Sequence, residues 1–298
     1  MGKHAWMIMA HNQFDLLKKL LKTLDNEDAD IFLHVDKKAA FDISILSSSL
    51  IKSQYYMTDR IKITWGGYSQ IAAELLLLEK AVNTGHYEFY HLITGVDFPL
   101  KNIKEIQTFF NNNCRYEFIS NEKCSEKEFE RIKYYYFFQD LFGEKFIGKV
   151  LRKATLGIQK VLHIQRNTDI TVVKIGSAYF DIDDELARYI VEKKSEIKKR
   201  FKFTRCADEL FLQIIFFNSL LAKKGKKQVY KSEASHKYIQ TLYLDVLRAI
   251  DWTRGLPYVW NIDDYETLKS SGCMFARKFD YNKYPEIVDK LEKDINRV

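Results

Sequence analysis

The chain is poor in the residues that punctuate or cross-link a fold. Only 3 prolines and 12 glycines occur in 298 residues, so no Pro/Gly-rich linker divides it, and one compact domain over residues 1–298 is expected. The 4 cysteines, Cys114, Cys124, Cys206 and Cys273, form no CxxC pair and no Cys/His cluster at metal-ligand spacing. That argues against a disulfide framework and a structural zinc site, and reduced thiols suit a cytoplasmic setting. No stretch reaches the roughly 20 apolar residues a spanning helix needs, and the opening MGKHAWMIMAH turns polar too early for a secretory signal. The expectation is a chain that does not cross a membrane. GxGxxG and GxxxxGK[ST] are also missing, so neither a Rossmann dinucleotide site nor a P-loop is signalled.

What is present is apolar and basic. A content of 46% hydrophobic and 14% aromatic residues suffices for a sizeable core. The net charge of +7 gathers at residues 193–202 and 223–227. Such runs serve nucleic acid, anionic lipid or phosphorylated substrates, or are solvated surface, and no nucleic-acid recognition motif accompanies them.

The apolar spacing predicts a strand over 5–10, a helix over 14–24 and a second strand over 30–36, the signature of a parallel α/β unit. Ligands of such sheets collect at the carboxyl ends of strands, where His11, His34 and Asp36 fall. Asp36 suits either a nucleoside contact or a strand-end turn. A strand over 60–64 runs into Trp65-Gly66-Gly67-Tyr68-Ser69, whose glycines allow a close backbone approach, then into a helix over 70–82. The strand over 89–95 ends near Asp97, before Pro99.

Residues 204–217, TRCADELFLQIIFF, set Asp208 and Glu209 at the start of an apolar helix. The positive end of a helix dipole favours an ionised carboxylate there, a candidate general base, although capping alone explains acids in a first turn. Asp181-Ile182-Asp183 resembles a metal-binding Asp-X-Asp, but it stands before a periodic helix over 186–197, so helix capping also accounts for it.

Seven motifs in order carry a resemblance: HVDKK at 34–38, WGGYS at 65–69, TGVDFPL at 94–100, GSAYF at 176–180, Asp208-Glu209, IDW at 250–252 and FARKFD at 275–280. The set resembles the core-2/I-branching β-1,6-N-acetylglucosaminyltransferases and peptide O-xylosyltransferases (glycosyltransferase family 14), particularly bacterial members. The resemblance implies a GT-A-type α/β fold with a central, mostly parallel sheet flanked by helices. Residues 1–120 would form the nucleotide-sugar-binding half; 121–298 would hold a helical insertion, the acceptor side and the base. It further implies inverting, metal-independent transfer of a sugar, N-acetylglucosamine first and xylose second, from a UDP-sugar to a hydroxyl of a glycan or lipid-linked glycan, in bacterial surface-polysaccharide synthesis.

By that resemblance Glu209 is the catalytic base. Asp36, Lys38, Trp65, Gly66, Asp97, Arg254 and Lys278 bind the donor, with Arg254 and Lys278 meeting the pyrophosphate and Arg248 and Arg277 as rivals for the arginine. Ser177, Tyr179 and Trp252 face the acceptor. A non-catalytic nucleotide- or glycan-binding module is the other reading. Between Cys124 and Gln165, tyrosines at 134–136 precede a basic amphipathic segment through Lys149, Arg152, Lys153 and Lys160. The tyrosines would stack on sugars or pack under a helical lobe, and the segment suggests peripheral contact with an anionic membrane, at its inner face for a cytoplasmic protein.

Overall fold

A computed structural model describes residues 2–166, 170–223, 225, 227–231 and 242–296; Lys224 and Lys226 of the second basic run lie outside these. Its strands are β1 (His4–Ala10), β2 (Ala29–Val35), β3 (Gln54–Met57), β4 (Phe89–Thr94), β5 (Phe98–Pro99), β6 (Tyr116–Ile119), β7 (Glu122–Lys123), β8 (Lys174–Ile175), β9 (Phe180–Ile182), β10 (Gln228–Val229), β11 (Leu242–Tyr243), β12 (Arg248–Ile250) and β13 (Phe275–Arg277). Seven of them make the main sheet, in the order β10-β6-β9-β4-β1-β2-β3. There β4, β1, β2 and β3 run parallel, whereas β9 is antiparallel to both β4 and β6.

The central strand explains the layering. Along β1, Trp6 and Ile8 join one buried cluster while Ala5 and Met7 join the other, so both faces need cover. The Phe14–Leu24 helix covers the first with Leu16, Leu17, Leu20, Leu21 and Leu24. On the second lies the Tyr68–Thr84 helix, through Ile71, Leu75 and Leu78. This is the mostly parallel, helix-flanked α/β sheet expected. A smaller sheet, β11-β12-β13-β5, sets Arg277 at the end of β13, beside the loop that leaves β4.

Three local expectations change. Residues 60–64 form no strand; the third parallel strand is Gln54–Met57, and the chain then leaves the sheet under Arg60, whose guanidinium donates to the carbonyls of Val35, Asp36 and Ala39. The helix expected over 186–197 breaks at Lys193 into Asp184–Glu192 and Lys194–Phe201. Asp208 and Glu209 lie in a 3-10 turn, Ala207–Glu209, entered through Cys206 at φ 47°; the α-helix starts only at Phe211. Both acids therefore precede the α-helix, and the dipole argument gives way to local contacts.

Candidate active site

The carboxyl ends of β1, β2 and β4 gather charged side chains as α/β sheets do. Asp36, just past β2, is buried; its Oδ1 accepts from the Lys38 backbone N–H at 2.8 Å, and its Oδ2 pairs with Lys38 Nζ at 3.3 Å. Beside it, burial pulls the His11 imidazole down from its ordinary pKa, Asp36 opposing and Lys38 and Arg277 assisting. His11, Asp36, Lys38 and Arg277 thus form one electrostatic group. His34 joins it through Asp36, whose charge opposes the lowering of the imidazole by burial; it accepts the Ile61 N–H at Nε2, 3.2 Å away, and holds the departing chain.

Asp97 is placed differently from the expectation of a donor contact. It is 0% exposed, accepts from the Thr94 N–H and Oγ1 at 2.8 Å each, and pairs with Arg277 Nε at 3.3 Å. Burial pushes its carboxyl up despite Arg277 and Thr94. Asp97 therefore aims Arg277, whose guanidinium lies 5.0 Å from the Tyr179 ring centre. The next residue, Lys278, makes no ion pair among the described residues.

Arg254 and Arg248 are spoken for. Arg254 is clamped between Asp251 at 2.5 Å and Asp264 at 2.7 Å, over the Tyr258 ring, so two carboxylates neutralise the cation assigned to pyrophosphate. Arg248 is buried and grips Asp181 with both arms at 2.8 and 3.2 Å. Asp181 in turn meets His91 Nδ1 at 2.8 Å, and His91 Nε2 meets His4 Nδ1 at 2.8 Å. Burial opposes the Asp181 charge, but Arg248 and His91 outweigh it and hold the carboxyl low. Asp183 caps the Leu186 N–H at 2.9 Å and pairs with Lys227, so the two acids of Asp181-Ile182-Asp183 serve separate partners. Among the described residues no group of three or more His, Cys, Asp or Glu could hold a metal ion.

Glu209 stands on the other wall, its side chain 40% exposed, with Arg131 Nη1 at 2.5 Å from Oε2. Its carbonyl accepts the Gly176 N–H at 3.0 Å, which ties it to GSAYF. In that segment Ser177 Oγ accepts the Tyr179 N–H at 3.1 Å, and Tyr179 is buried beneath Arg277. A Cβ on Gly176 would lie 2.1 Å from that of Ser120. GSAYF is thus a bridge from the Glu209 turn to Arg277, with Ser177 mostly covered and Trp252 exposed.

The Trp65-Gly66 turn closes on the same wall. Gly66 (φ +69°) accepts the Cys206 N–H at 2.8 Å and donates its own to Gln70, while the Trp65 ring is exposed beneath Arg205. What the glycines approach closely is this chain's own Cys206 and Asp140. Asp140 then caps the Tyr68–Thr84 helix by accepting from the Tyr68 and Ser69 N–H groups at 3.1 and 3.0 Å. In the same turn as Glu209, Asp208 accepts from Gln70 at 3.0 Å and keeps Oδ1 buried and bare, while Glu74 Oε2 is buried and bare nearby. Burial, then Glu209, pushes Asp208 up to about 7; burial, then Asp208, pushes Glu74 well above the carboxylate range.

Arg131, Asp140 and Glu74 escaped the sequence reading. Arg131 sits in an ordinary capped helix, Glu126–Lys133, and only Glu74, an acid among the helix's leucines, carried a signal. A cleft of about 870 Å³ opens elsewhere, bordered by Asn113, Tyr116, Phe217 and Lys227, and none of the motif residues lines it.

A mostly parallel, helix-flanked α/β sheet, with Lys38 just past β2 and a smaller sheet bringing Arg277 to the loop after β4, defines the fold class. Within that class the family is shown by sequence: the model of the core-2/I-branching enzymes matches residues 4–265, and the chain belongs to that family. It is 21% identical to a human β-1,3-galactosyl-O-glycosyl-glycoprotein β-1,6-N-acetylglucosaminyltransferase over 93% of this chain and 65% of that one. Rat xylosyltransferase 2 is 19% identical over 97% of this chain and 33% of its own length. A mouse N-acetyllactosaminide β-1,6-N-acetylglucosaminyl-transferase is 22% identical over 97% and 71%. The chain therefore spans between a third and two thirds of the first two relatives. Among solved structures, the apo form of the glycosyltransferase GlyE from Streptococcus pneumoniae overlaps 77% of this chain and 46% of its own at 11% identity and a TM-score of 0.31.

Proposed function

We propose that this protein is an inverting glycosyltransferase that moves a sugar, N-acetylglucosamine in the first instance, from a UDP-sugar to a hydroxyl of a glycan or lipid-linked glycan. Family membership supports the reaction class. The observation that carries the site is the bridge described above: Gly176 holds the Glu209 turn at one end, and Tyr179 underlies Arg277 at the other.

In this reading the nucleotide lies over the strand ends near His11, Asp36 and Lys38. Arg277 and Lys278 receive the pyrophosphate, in place of the Arg254 assignment, because Asp251 and Asp264 already neutralise Arg254. Two cations at that position suit a leaving group neutralised without a metal. Arg131 holds Glu209 Oε2, which leaves Oε1 to take the acceptor's proton. As that hydroxyl oxygen bonds to the anomeric carbon, the bond to UDP breaks on the opposite face and UDP leaves with the electron pair. Trp65 and Trp252, both exposed, offer apolar faces to sugar rings.

The test is UDP release from a panel of UDP-sugars, with acceptor glycans and with and without EDTA, by wild type and Glu209→Gln. EDTA-resistant release lost in the variant, with UDP affinity within about twofold of wild type, is expected. Retained turnover in Glu209→Gln overturns the base; release abolished by EDTA overturns the metal-free leaving group. UDP binding without turnover on any donor and acceptor would make the protein a nucleotide-binding module.

A further inference from the structure

The Phe146–Val161 helix is built inside out. Sixteen residues long, it would ordinarily bury its apolar face, yet only Gly148 and Gln159 are buried. On a helical wheel Phe146, Ile147, Val150, Ile158 and Val161 share one arc, and all five are exposed, Phe146 at 84% and Val161 at 76%. The side that packs on the protein is the polar and small one. Gln159 exchanges hydrogen bonds with the Tyr135 backbone at 2.8 and 3.0 Å, and Arg152 reaches Gln139 at 3.2 Å. An apolar strip about 24 Å long is thereby left in water.

Charge selects what covers it. Residues 145–166 contain six Lys or Arg and no Asp or Glu. Lys149 and Lys153 border the apolar arc on one side and make no ion pair among the described residues, whereas Arg152 is paired with Glu144 and Lys160 with Glu130, each at 2.7 Å. Two copies laid face to face would bring their lysine rows together with no acid to answer them. An anionic lipid surface meets both needs: acyl chains for the apolar arc and headgroups for the lysines beside it.

We infer that the Phe146–Val161 helix is a docking element that lies in the interface of an anionic membrane, its Phe146/Val150/Val161 arc inserted. The opposite, packed side of the helix meets Gln139, which donates to the Trp65 carbonyl at 3.0 Å, so docking ties the Trp65 turn to a membrane-bound lobe. The inference stands on exposure and charge, independent of the transferase reading.

Vesicle co-sedimentation tests it with full-length protein, using phosphatidylcholine alone and phosphatidylcholine with 30% phosphatidylglycerol. Binding to the anionic vesicles, weakened by salt and absent on the neutral ones, is expected. Lys149→Ala/Lys153→Ala should weaken it about 30-fold, roughly fivefold per lysine, and Val150→Glu/Val161→Glu should abolish it. Both pairs are surface changes, and an unchanged melting temperature checks the fold. Failure of the wild type to sediment with anionic vesicles overturns the inference, as does undiminished binding by the Val150/Val161 variant. A dimer in sedimentation velocity that this variant dissolves, with no vesicle binding, would make the face a self-interface instead.

Discussion

Replacing Asp208 by asparagine should stabilise this protein, and more at alkaline than at acid pH. The carboxyl is buried in the Ala207–Glu209 turn with Oδ1 bare, and folding raises its pKa from the ordinary 3.8 to about 7. The folded state therefore binds the Asp208 proton more tightly than the unfolded state, so this group costs nothing below pH 4. Its cost grows as pH rises through the window from 4 to 7 and is complete above it. About three pKa units at 1.36 kcal/mol each bound the total at about 4 kcal/mol, of which about 2 to 3 separate pH 5 from pH 8. Glu74 shares the buried space and repels the Asp208 charge, so the two carboxyls titrate as a pair and the expectation falls to about 1 to 2 kcal/mol.

Asparagine has the same shape and keeps an acceptor for Gln70, and its amide supplies a donor among bare carboxyl oxygens. Guanidinium melts of wild type and Asp208→Asn at pH 5 and pH 8 measure the difference directly. Glu117, a buried acid that Asp208 does not reach, titrates identically in both proteins and cancels. A variant that gains no more at pH 8 than at pH 5 would show that Asp208 ionises at its ordinary pKa in the folded state, and would refute the reasoning.

Further outcomes follow from the same contacts. Lys278→Ala should lower kcat by about 10²- to 10³-fold with little effect on melting temperature, the loss typical of one transition-state donor; unchanged turnover would remove Lys278 from the site. Arg248→Ala should cost about 3 to 5 kcal/mol by leaving Asp181 charged and unpaired in the core, and a wild-type melt combined with weaker UDP binding would restore Arg248 as a pyrophosphate ligand. Gly176→Ala would force a Cβ into Ser120 and displace the bridge, at about 1 to 3 kcal/mol, with a larger fall in turnover than Ser177→Ala, which removes one side-chain contact. Equal losses in the two would deny the bridge its role.

The layers were legible because they follow from periodicity. Continuous apolar runs gave β1, β2 and β4, and the leucine spacing gave the Phe14–Leu24 helix to its ends. Misreadings came where tertiary contacts overrode local pattern. Gln54–Met57 alternates weakly and becomes a strand only through pairing with β2, while residues 60–64 look like a strand but are pulled away by Arg60. At the site, motif order marked the turns that meet but was silent on which charges are free. Nothing in IDWTR shows that Asp251 and Asp264 will enclose Arg254, and nothing in ERIK shows Arg131 meeting Glu209 across 78 residues.

One strand of the main sheet sets the order of assembly. Phe180–Ile182 lies between β4 and β6, which end near residues 94 and 119, so a chain grown only to residue 120 has an empty slot in the middle of its sheet. Both lips of that slot present unpaired backbone groups, the condition that invites pairing with another chain. The halves that a sequence reader separates as donor side and acceptor side are thus laced together strand by strand, β9 between β4 and β6, β10 beside β6 and β13 beside β5. Cutting the protein between them should yield not two modules but one half with an open, adhesive seam.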